Sequence, residues 1–272
     1  MIGELPTAPR FTLEHHQIAQ VICHVRFSPV LRLQRQEEIS RFQDEVRDRY
    51  PDFASEQAIA FLITPQGVAQ QETGAKNYRF IDRESGVMLV LSTDFVAIET
   101  REYVEIHDVA ARIKDALEIV VRLYEPATRL RLGLRFTNEF RFEAADLPAR
   151  VRGAFNPLLL GLAGLEELAS VVAQTQSVVR MQTAEATSLQ MIHGLNTQGG
   201  TTVAPIPGAA PSPGGQEPFY LLDFDAFSEK SVPLNSEAVA EQVLVFNDQI
   251  RTLFAWATTA EYRRDVLGER AL

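Results

Sequence analysis

Two stretches of the sequence combine charged side chains with strict alternation. In RLRLGLRFTNEFRFE, residues 129–143, leucine and phenylalanine alternate with arginine, and in LLDFDAF, residues 221–227, apolar residues alternate with Asp223 and Asp225. Guanidinium groups bind carboxylates and phosphates through paired hydrogen bonds. Two carboxylates on one strand face could hold a divalent cation if Glu99 or Glu229 approached. A structural role as ion-pair partners of Arg135 or Arg180 is the favoured interpretation of the two aspartates.

Alternation with a period of two is typical of a half-buried antiparallel strand, so one face of each strand is expected to form the core. The other face is either solvated or used for binding, and the sequence leaves both alternatives open. Applied to every predicted strand, the alternation places a set of polar side chains on this second face. The predicted binding-face residues are Gln20, His24, Arg26, Arg131, Arg135, Gln174, Gln176, Arg180, Gln190, Asp223 and Asp225.

The elements that would carry these residues occur twice in the same order. Each half reads as a strand, a helix, several antiparallel strands and a long helix. The predicted strands are 18–27, 58–64, 77–83, 86–93, 95–101, 129–143, 168–183, 187–195 and 218–228. The predicted helices are 31–50, 105–126, 146–155 and one that begins at Asn235 or Ser236. Short identities accompany the order, since VRFS at 25–28 resembles LRFT at 134–137.

This repetition predicts an α+β fold in which two tandem β-α-β(n)-α halves form one continuous antiparallel sheet with the helices packed on one face. The predicted organisation is an N-terminal entry segment (1–17), a first half (18–126), a second half (127–260) and a C-terminal tail (261–272). The second half contains a stretch dense in glycine and proline, residues 196–217, which is expected to be a mobile loop.

Composition places the chain among globular proteins, since 46% of its 272 residues are hydrophobic and 23% are charged. The net charge of −10 argues against a protein whose main task is to neutralise phosphates, so nucleic acid is the less favoured partner. Cys23 is the single cysteine, which excludes an intramolecular disulfide and favours the cytoplasm. Its apolar neighbours predict a buried side chain. No stretch has the length and apolarity of a membrane span or a signal peptide.

Sequence motifs for catalysis are absent. The chain has no GxGxxG after a strand, no phosphate-binding Walker loop, no GxSxG elbow, no HExxH and no paired CxxC. His15 and His16 lie together in the entry segment, but two histidines without further ligands do not predict a metal site. No catalytic residue, metal or cofactor is therefore expected.

GLRFTN (133–138) and LDFDAF (222–227), together with the N-terminal stretch APRFTLEHHQIAQVICHVRFSP and REYVEIHDV before the middle helix, resemble motifs of a known group of proteins. The chain is similar to a sporadically distributed, functionally uncharacterised family of bacterial and archaeal proteins of about this length, with GLRY-[IV]-N-like and LDID-like strands. Phe136 and Thr137 stand where Tyr-Ile is common in the family, a conservative change. The resemblance implies no activity or cofactor, and the patchy distribution of the family suggests a mobile or defence-associated gene context.

These features together predict a non-catalytic binding or regulatory protein that acts through the polar sheet face, the long loop or both. Its expected partner is another protein, with a polar or anionic ligand as a further possibility and no membrane. The alternative is an enzyme or a nucleic-acid-processing factor whose site uses the arginines and aspartates of the same face.

Overall fold

The computed structural model describes residues 5, 10–64, 67–184, 186–203 and 215–271, and for residues 57–75 it describes the backbone alone. The strands are β1 (Phe11–Leu13), β2 (Ile18–Phe27), β3 (Asp52–Thr64), β4 (Gly67–Asp82), β5 (Val87–Leu91), β6 (Phe95–Thr100), β7 (Thr128–Arg141), β8 (Ser177–Ala184), β9 (Thr187–Asn196), β10 (Phe219–Ser228), β11 (Val232–Pro233) and β12 (Glu269–Ala271). The α-helices are α1 (Gln36–Val46), α2 (Ile106–Tyr124), α3 (Leu147–Ala154), α4 (Pro157–Leu160), α5 (Glu166–Ala169), α6 (Ser236–Ala257) and α7 (Ala260–Asp265).

The fold is α+β, as predicted. Within the described chain, ten strands form an antiparallel sheet in the hydrogen-bonded order β3-β4-β5-β6-β2-β7-β10-β9-β8, and β11 pairs with the start of β7. None of the helices in this part of the chain is long and apolar enough to cross a membrane.

Contacts divide the chain into two compact units that differ from the two predicted halves. Unit 1 consists of Met1–Val21, Leu134–Ser228 and Val245–Leu272, and unit 2 of Ile22–Gly133 and Glu229–Leu244. The boundaries pass through β2, β7 and α6, because these long elements contribute residues to both units.

Unit 2 packs α1 and α2 against the apolar side of its strands. The ring of Phe42 on α1 lies 5.3 Å from that of Phe80 on β4, and both side chains are fully buried. The predicted helical stripe of α2 is confirmed by the burial of Val109, Ile113, Leu117, Val120 and Tyr124. The helix ends at Tyr124 and is followed by Glu125, whose backbone is left-handed, directly before the predicted stop at Pro126.

Unit 1 is organised around the ladder of β9 and β10, which pair over ten residues from Phe219↔Asn196 to Ser228↔Thr187. Tyr220 stacks on Phe155 with 4.1 Å between ring centroids, and its hydroxyl lies 2.9 Å from His193 Nδ1. Both aromatic rings are buried. This aromatic cluster joins the sheet to the segment that follows α3.

Two sequence expectations differ from the structure of unit 1. The predicted strand 168–183 begins only at Ser177, because residues 166–169 form the short helix α5 and backbone bonds such as Val171 N–H to Leu168 O continue the turn. The entry segment and the tail are also structured: β1 pairs with β12 in the register Phe11↔Ala271 to Leu13↔Glu269. The tail further contains α7.

The predicted loop 196–217 lies partly outside the described residues, which omit 204–214. Its described ends are hydrogen-bonded to each other, since Gly200 N–H donates to Gly215 O over 2.9 Å. Val203 is buried. The prediction of mobility is therefore limited to the segment between these ends, and it stays a prediction.

Candidate functional site

Arg135 and Asp223 form the central ion pair of the candidate site in unit 1. Nε of Arg135 donates to Asp223 Oδ1 over 2.8 Å, and Nε and Nη2 both donate to Oδ2. The carboxylate side chain is 4% exposed, whereas the arginine side chain is 47% exposed. The hydrogen bonds to Asp223 raise the pKa of Arg135 despite its partial burial. The predicted role of Asp223 as an ion-pair partner of Arg135 is confirmed.

A row of polar residues extends from this pair across the next two strands. The strand registers place Asp225 opposite Gln190 and Gln190 opposite Arg180. Residues directly opposite each other in an antiparallel ladder share a face. Arg180 is exposed, and its guanidinium lies 4.9 Å from the ring centroid of Phe227, which it covers. We refer to Arg135, Arg180, Gln190, Asp223 and Asp225 as the arginine–aspartate face.

One end of this face is covered by the start of the long loop. Glu139, a buried residue of β7, accepts hydrogen bonds from Thr201 Oγ1 and Thr202 N, both over 2.7 Å, and from Thr202 Oγ1 over 2.9 Å. Arg141 donates to Glu139 and, over 2.8 Å, to Gly200 O. Alternation places Glu139 on the same side of β7 as Arg135. The residues that cover it, Thr201 and Thr202, lie about sixty positions later in the chain.

Three further predicted face residues lie close to one another in unit 2. Burial, together with the positive charges of Arg131 and Arg26, lowers the pKa of His24 to about 4. The imidazole ring stacks on Phe95 with centroids 4.6 Å apart. Arg26 is exposed at the end of β2. The structure thus brings together two groups of the predicted residues, one in each unit.

The predicted glutamines other than Gln190 lie outside the arginine–aspartate face. Gln20 is half-buried near the start of β2, an inner strand of the sheet. Gln174 and Gln176 are exposed and precede the edge strand β8, and Gln174 forms an isolated bridge with Asn196. Close approach explains the glycine opposite them: a Cβ on Gly194 would lie 2.0 Å from the backbone oxygen of Thr175. Gln174 and Gln176 thus extend the edge of the sheet beyond the arginine–aspartate face.

Sequence reasoning missed a second ion network, which lies in unit 2. Arg79 on β4 donates to Glu56 over 2.6 Å and to Glu99 over 3.0 Å, and its side chain is 12% exposed. The available signal was the alternation of NYRFIDR, which puts Arg79 on the side opposite Tyr78 and Phe80. Glu99, considered above as a possible cation ligand, is here a partner of Arg79.

Within the described ranges, no group of three or more histidine, cysteine or acidic side chains is arranged to hold a metal ion. Both carboxylate oxygens of Asp223 are hydrogen-bonded to Arg135, so a cation there would first have to displace the guanidinium. Cys23 is fully buried, as predicted, and burial raises the pKa of its thiol to about 12. The thiol therefore has no nucleophilic character near neutral pH.

Comparison with protein-family models gives no match, and comparison with curated proteins gives no significant similarity.

Proposed function

We propose that this protein is a non-catalytic binding or regulatory protein of the cytoplasm and that it contacts another protein through the arginine–aspartate face. One observation carries the proposal. The carboxylate of Asp223 is almost fully buried, while the guanidinium that it holds, that of Arg135, is about half exposed. A buried anchor that orients an exposed cation is the arrangement expected of a preformed recognition surface.

The pair leaves part of the guanidinium available. Its bonds to Asp223 use Nε and Nη2 of Arg135, and Nη1 has no hydrogen-bond partner within the described chain. Because Asp223 already fixes the side chain, a partner that binds Nη1 loses little rotamer entropy on association. A carboxylate or a backbone carbonyl of another protein would be a suitable acceptor.

The composition of the face favours a protein over a nucleic acid. The face contains two arginines, two aspartates and a glutamine, so it offers positively charged hydrogen-bond donors and negatively charged acceptors. Phosphates would be repelled by Asp225 and by the net charge of −10. Complementary pairs of opposite charge are instead common at protein interfaces, where they select the partner.

The alternative of an enzyme with its site on the same face has less support. Asp223 is the most buried carboxylate of the face, but its oxygens are engaged by Arg135. A general base must be free to accept a proton from a substrate at hydrogen-bonding distance. The other aspartate of the face, Asp225, is only half-buried.

Affinity capture with matched variants tests this proposal. The full chain, tagged, is compared with Arg180→Glu, which reverses an exposed charge of the face, and with Arg47→Glu, which reverses an exposed charge directly after α1. We expect a protein that is retained by the wild type and by Arg47→Glu and that binds Arg180→Glu about tenfold more weakly, corresponding to about 1.4 kcal/mol. The proposal is wrong if the captured protein binds all three chains equally or if the specific ligand is a nucleic acid.

We also propose that residues 18–126 and 127–260 descend from one duplicated unit. In each half, the first strand pairs with the last strand of the following meander, β2 with β6 and β7 with β10. Arg26 and Arg135 are both exposed between two buried neighbours. The second meander has one strand fewer than the first. An experimental structure in which superposed halves place Arg26 far from Arg135 would contradict the duplication.

A further inference from the structure

The segment that follows α3 in unit 1 exposes many large apolar side chains. Within the described chain, more than half of the exposed large apolar residues lie between residues 158 and 179. Leu158 is 82% exposed and Val171 is 75% exposed. A single exposed leucine is normal on a protein surface, whereas a contiguous group of exposed apolar residues marks an interaction site.

Three consecutive turns bring four of these residues next to one another. Leu165 N–H donates to Leu162 O over 3.2 Å, and Leu168 N–H donates to Leu165 O over 3.1 Å. Val171 N–H then donates to Leu168 O over 3.0 Å. A hydrogen-bonded turn keeps its first and last Cα atoms within about 7 Å of each other. All four residues are exposed, and we refer to Leu162, Leu165, Leu168 and Val171 as the leucine row.

Other residues of the same segment fix it to the core of unit 1. Leu160, Ala163 and Ala169 are buried. The backbone oxygen of Leu159 also accepts a hydrogen bond from the Tyr220 hydroxyl over 3.3 Å. An apolar stripe on a surface helix normally faces the core, but here the core contacts are made by residues outside the leucine row. The row is therefore a preformed apolar surface, which loses little conformational entropy when a partner binds.

The charge beside the leucine row is entirely negative. Glu166 and Glu167 lie between Leu165 and Leu168, and both glutamates are exposed. They are the only charged residues of the sequence from 153 to 179, which contains no lysine, arginine or histidine. A partner that complements this surface must therefore offer apolar side chains together with positive charge.

This requirement decides among the surfaces that could cover the leucine row. A second copy of the chain would bring its own glutamates to Glu166 and Glu167, and each copy has a net charge of −10. Membrane surfaces are anionic and attract segments rich in lysine and arginine, which residues 153–179 lack. A basic segment of another protein satisfies both the apolar and the electrostatic requirement.

We propose that the leucine row binds an amphipathic helix of another protein that carries lysine or arginine beside its apolar stripe. Apolar side chains at positions i, i+3, i+4 and i+7 of such a helix would pack on the row. The flanking cations would pair with Glu166 and Glu167. The leucine row shares no residue with the arginine–aspartate face, so either proposal can fail without the other.

Two synthetic peptides, each about 18 residues long so that a helix can form, test this inference. Both carry leucine at positions i, i+3, i+4 and i+7, and the residues beside this stripe are lysine in one peptide and glutamate in the other. Fluorescence anisotropy of the labelled peptides measures binding to the full chain. We expect the wild type to bind the lysine peptide at least about tenfold more tightly than the glutamate peptide. This preference should decrease at high salt, which screens the exposed charges.

Variants at exposed positions show whether the peptide binds at the leucine row. The double variant Leu165→Gln, Leu168→Gln should bind the lysine peptide about tenfold more weakly than the wild type. Val104→Gln is the matched control, because Val104 is 85% exposed in unit 2, and it should bind like the wild type. The double variant Glu166→Lys, Glu167→Lys should prefer the glutamate peptide. The thermal unfolding midpoint verifies that each variant is folded.

Several results would overturn the inference. One is failure of the wild type to bind the lysine peptide or to distinguish it from the glutamate peptide. Another is equal binding of the lysine peptide by the wild type and by the folded Leu165→Gln, Leu168→Gln variant. A dimer in sedimentation equilibrium that this variant abolishes would show that the row binds a second copy. Retention on vesicles of anionic phospholipid that this variant abolishes would show that it binds a membrane.

Discussion

Arg135 and Asp223 are bound to each other through three hydrogen bonds, yet they differ greatly in contact with water: the aspartate side chain is 4% exposed and the arginine side chain 47%. The cost of breaking the pair therefore depends on which partner is removed. Loss of Asp223 leaves a cation that water can reach, whereas loss of Arg135 leaves a buried carboxylate without its counter-charge.

Replacement of Arg135 should be more destabilising than its exposure suggests. We expect Arg135→Met to lower the free energy of unfolding by about 2–3 kcal/mol, because the buried Asp223 carboxylate loses its charged partner. Urea denaturation measures the change. The double variant Arg135→Met with Asp223→Leu should lose less than the sum of the two single variants. Arg150→Met, which removes an exposed pair with Glu143, should cost below about 1 kcal/mol.

The apolar side of β7 should contribute strongly to stability. Leu134 is fully buried, so Leu134→Ala should lower the free energy of unfolding by about 2–5 kcal/mol through the cavity that it leaves. Leu130 on the same strand is only half-buried. Leu130→Ala is therefore the matched control and should lower the free energy of unfolding clearly less. Equal losses at both positions would contradict the burial described here.

His24 should make stability depend on pH in the acidic range. Its pKa in the folded state is about 4, below the ordinary value of 6.5, so the unfolded chain takes up the proton first as pH falls. The stabilisation is therefore complete above pH 6.5 and is lost progressively between pH 6.5 and pH 4, by about 3 kcal/mol in total.

Unfolding by urea at pH 7 and at pH 4.5 tests this dependence. We expect the difference between the two pH values to be smaller for His24→Gln than for the wild type. His107 is exposed on α2, so His107→Gln should retain the pH dependence of the wild type. If His24→Gln keeps the pH dependence of the wild type, that dependence arises from other titratable groups.

Glu139 should fasten the start of the long loop. Glu139→Gln retains the shape of the side chain and removes the charge that accepts three hydrogen bonds from Thr201 and Thr202. We expect faster hydrogen exchange at the Thr202 amide and a stability loss of about 1–3 kcal/mol. Glu143 is exposed and lies just after β7, so Glu143→Gln should change neither the exchange rate of the Thr202 amide nor the stability.

The alternation of apolar and polar residues predicted most strands. It correctly put Leu132 and Leu134 in the core and paired Arg135 with an aspartate of β10. Alternation does not predict how deeply the polar face of a strand is buried, because residues from a distant part of the chain can cover it. Asp223 and Glu139 are therefore more buried than a solvated sheet face would allow.

One error in secondary structure lies in a short apolar segment. LASVVAQT was predicted as the start of a strand, but Leu168 and Ala169 belong to a helical turn. An apolar run of this length fits a strand and a helix equally well by periodicity, and the local backbone hydrogen bonds of Leu168 and Val171 decide in favour of the turn. Pairing of β1 with β12 was also beyond prediction, because it joins segments more than 250 residues apart in the sequence.

The pairing of β1 with β12 affects how the protein can fold during synthesis. Unit 1 is assembled from three separate stretches of the chain, and the partner of Phe11–Leu13, β12, lies more than 250 residues later in the sequence. Most of unit 2, by contrast, is a single stretch, Ile22–Gly133. Unit 2 can therefore begin to form early, whereas β1 stays unpaired until β12 has been synthesised.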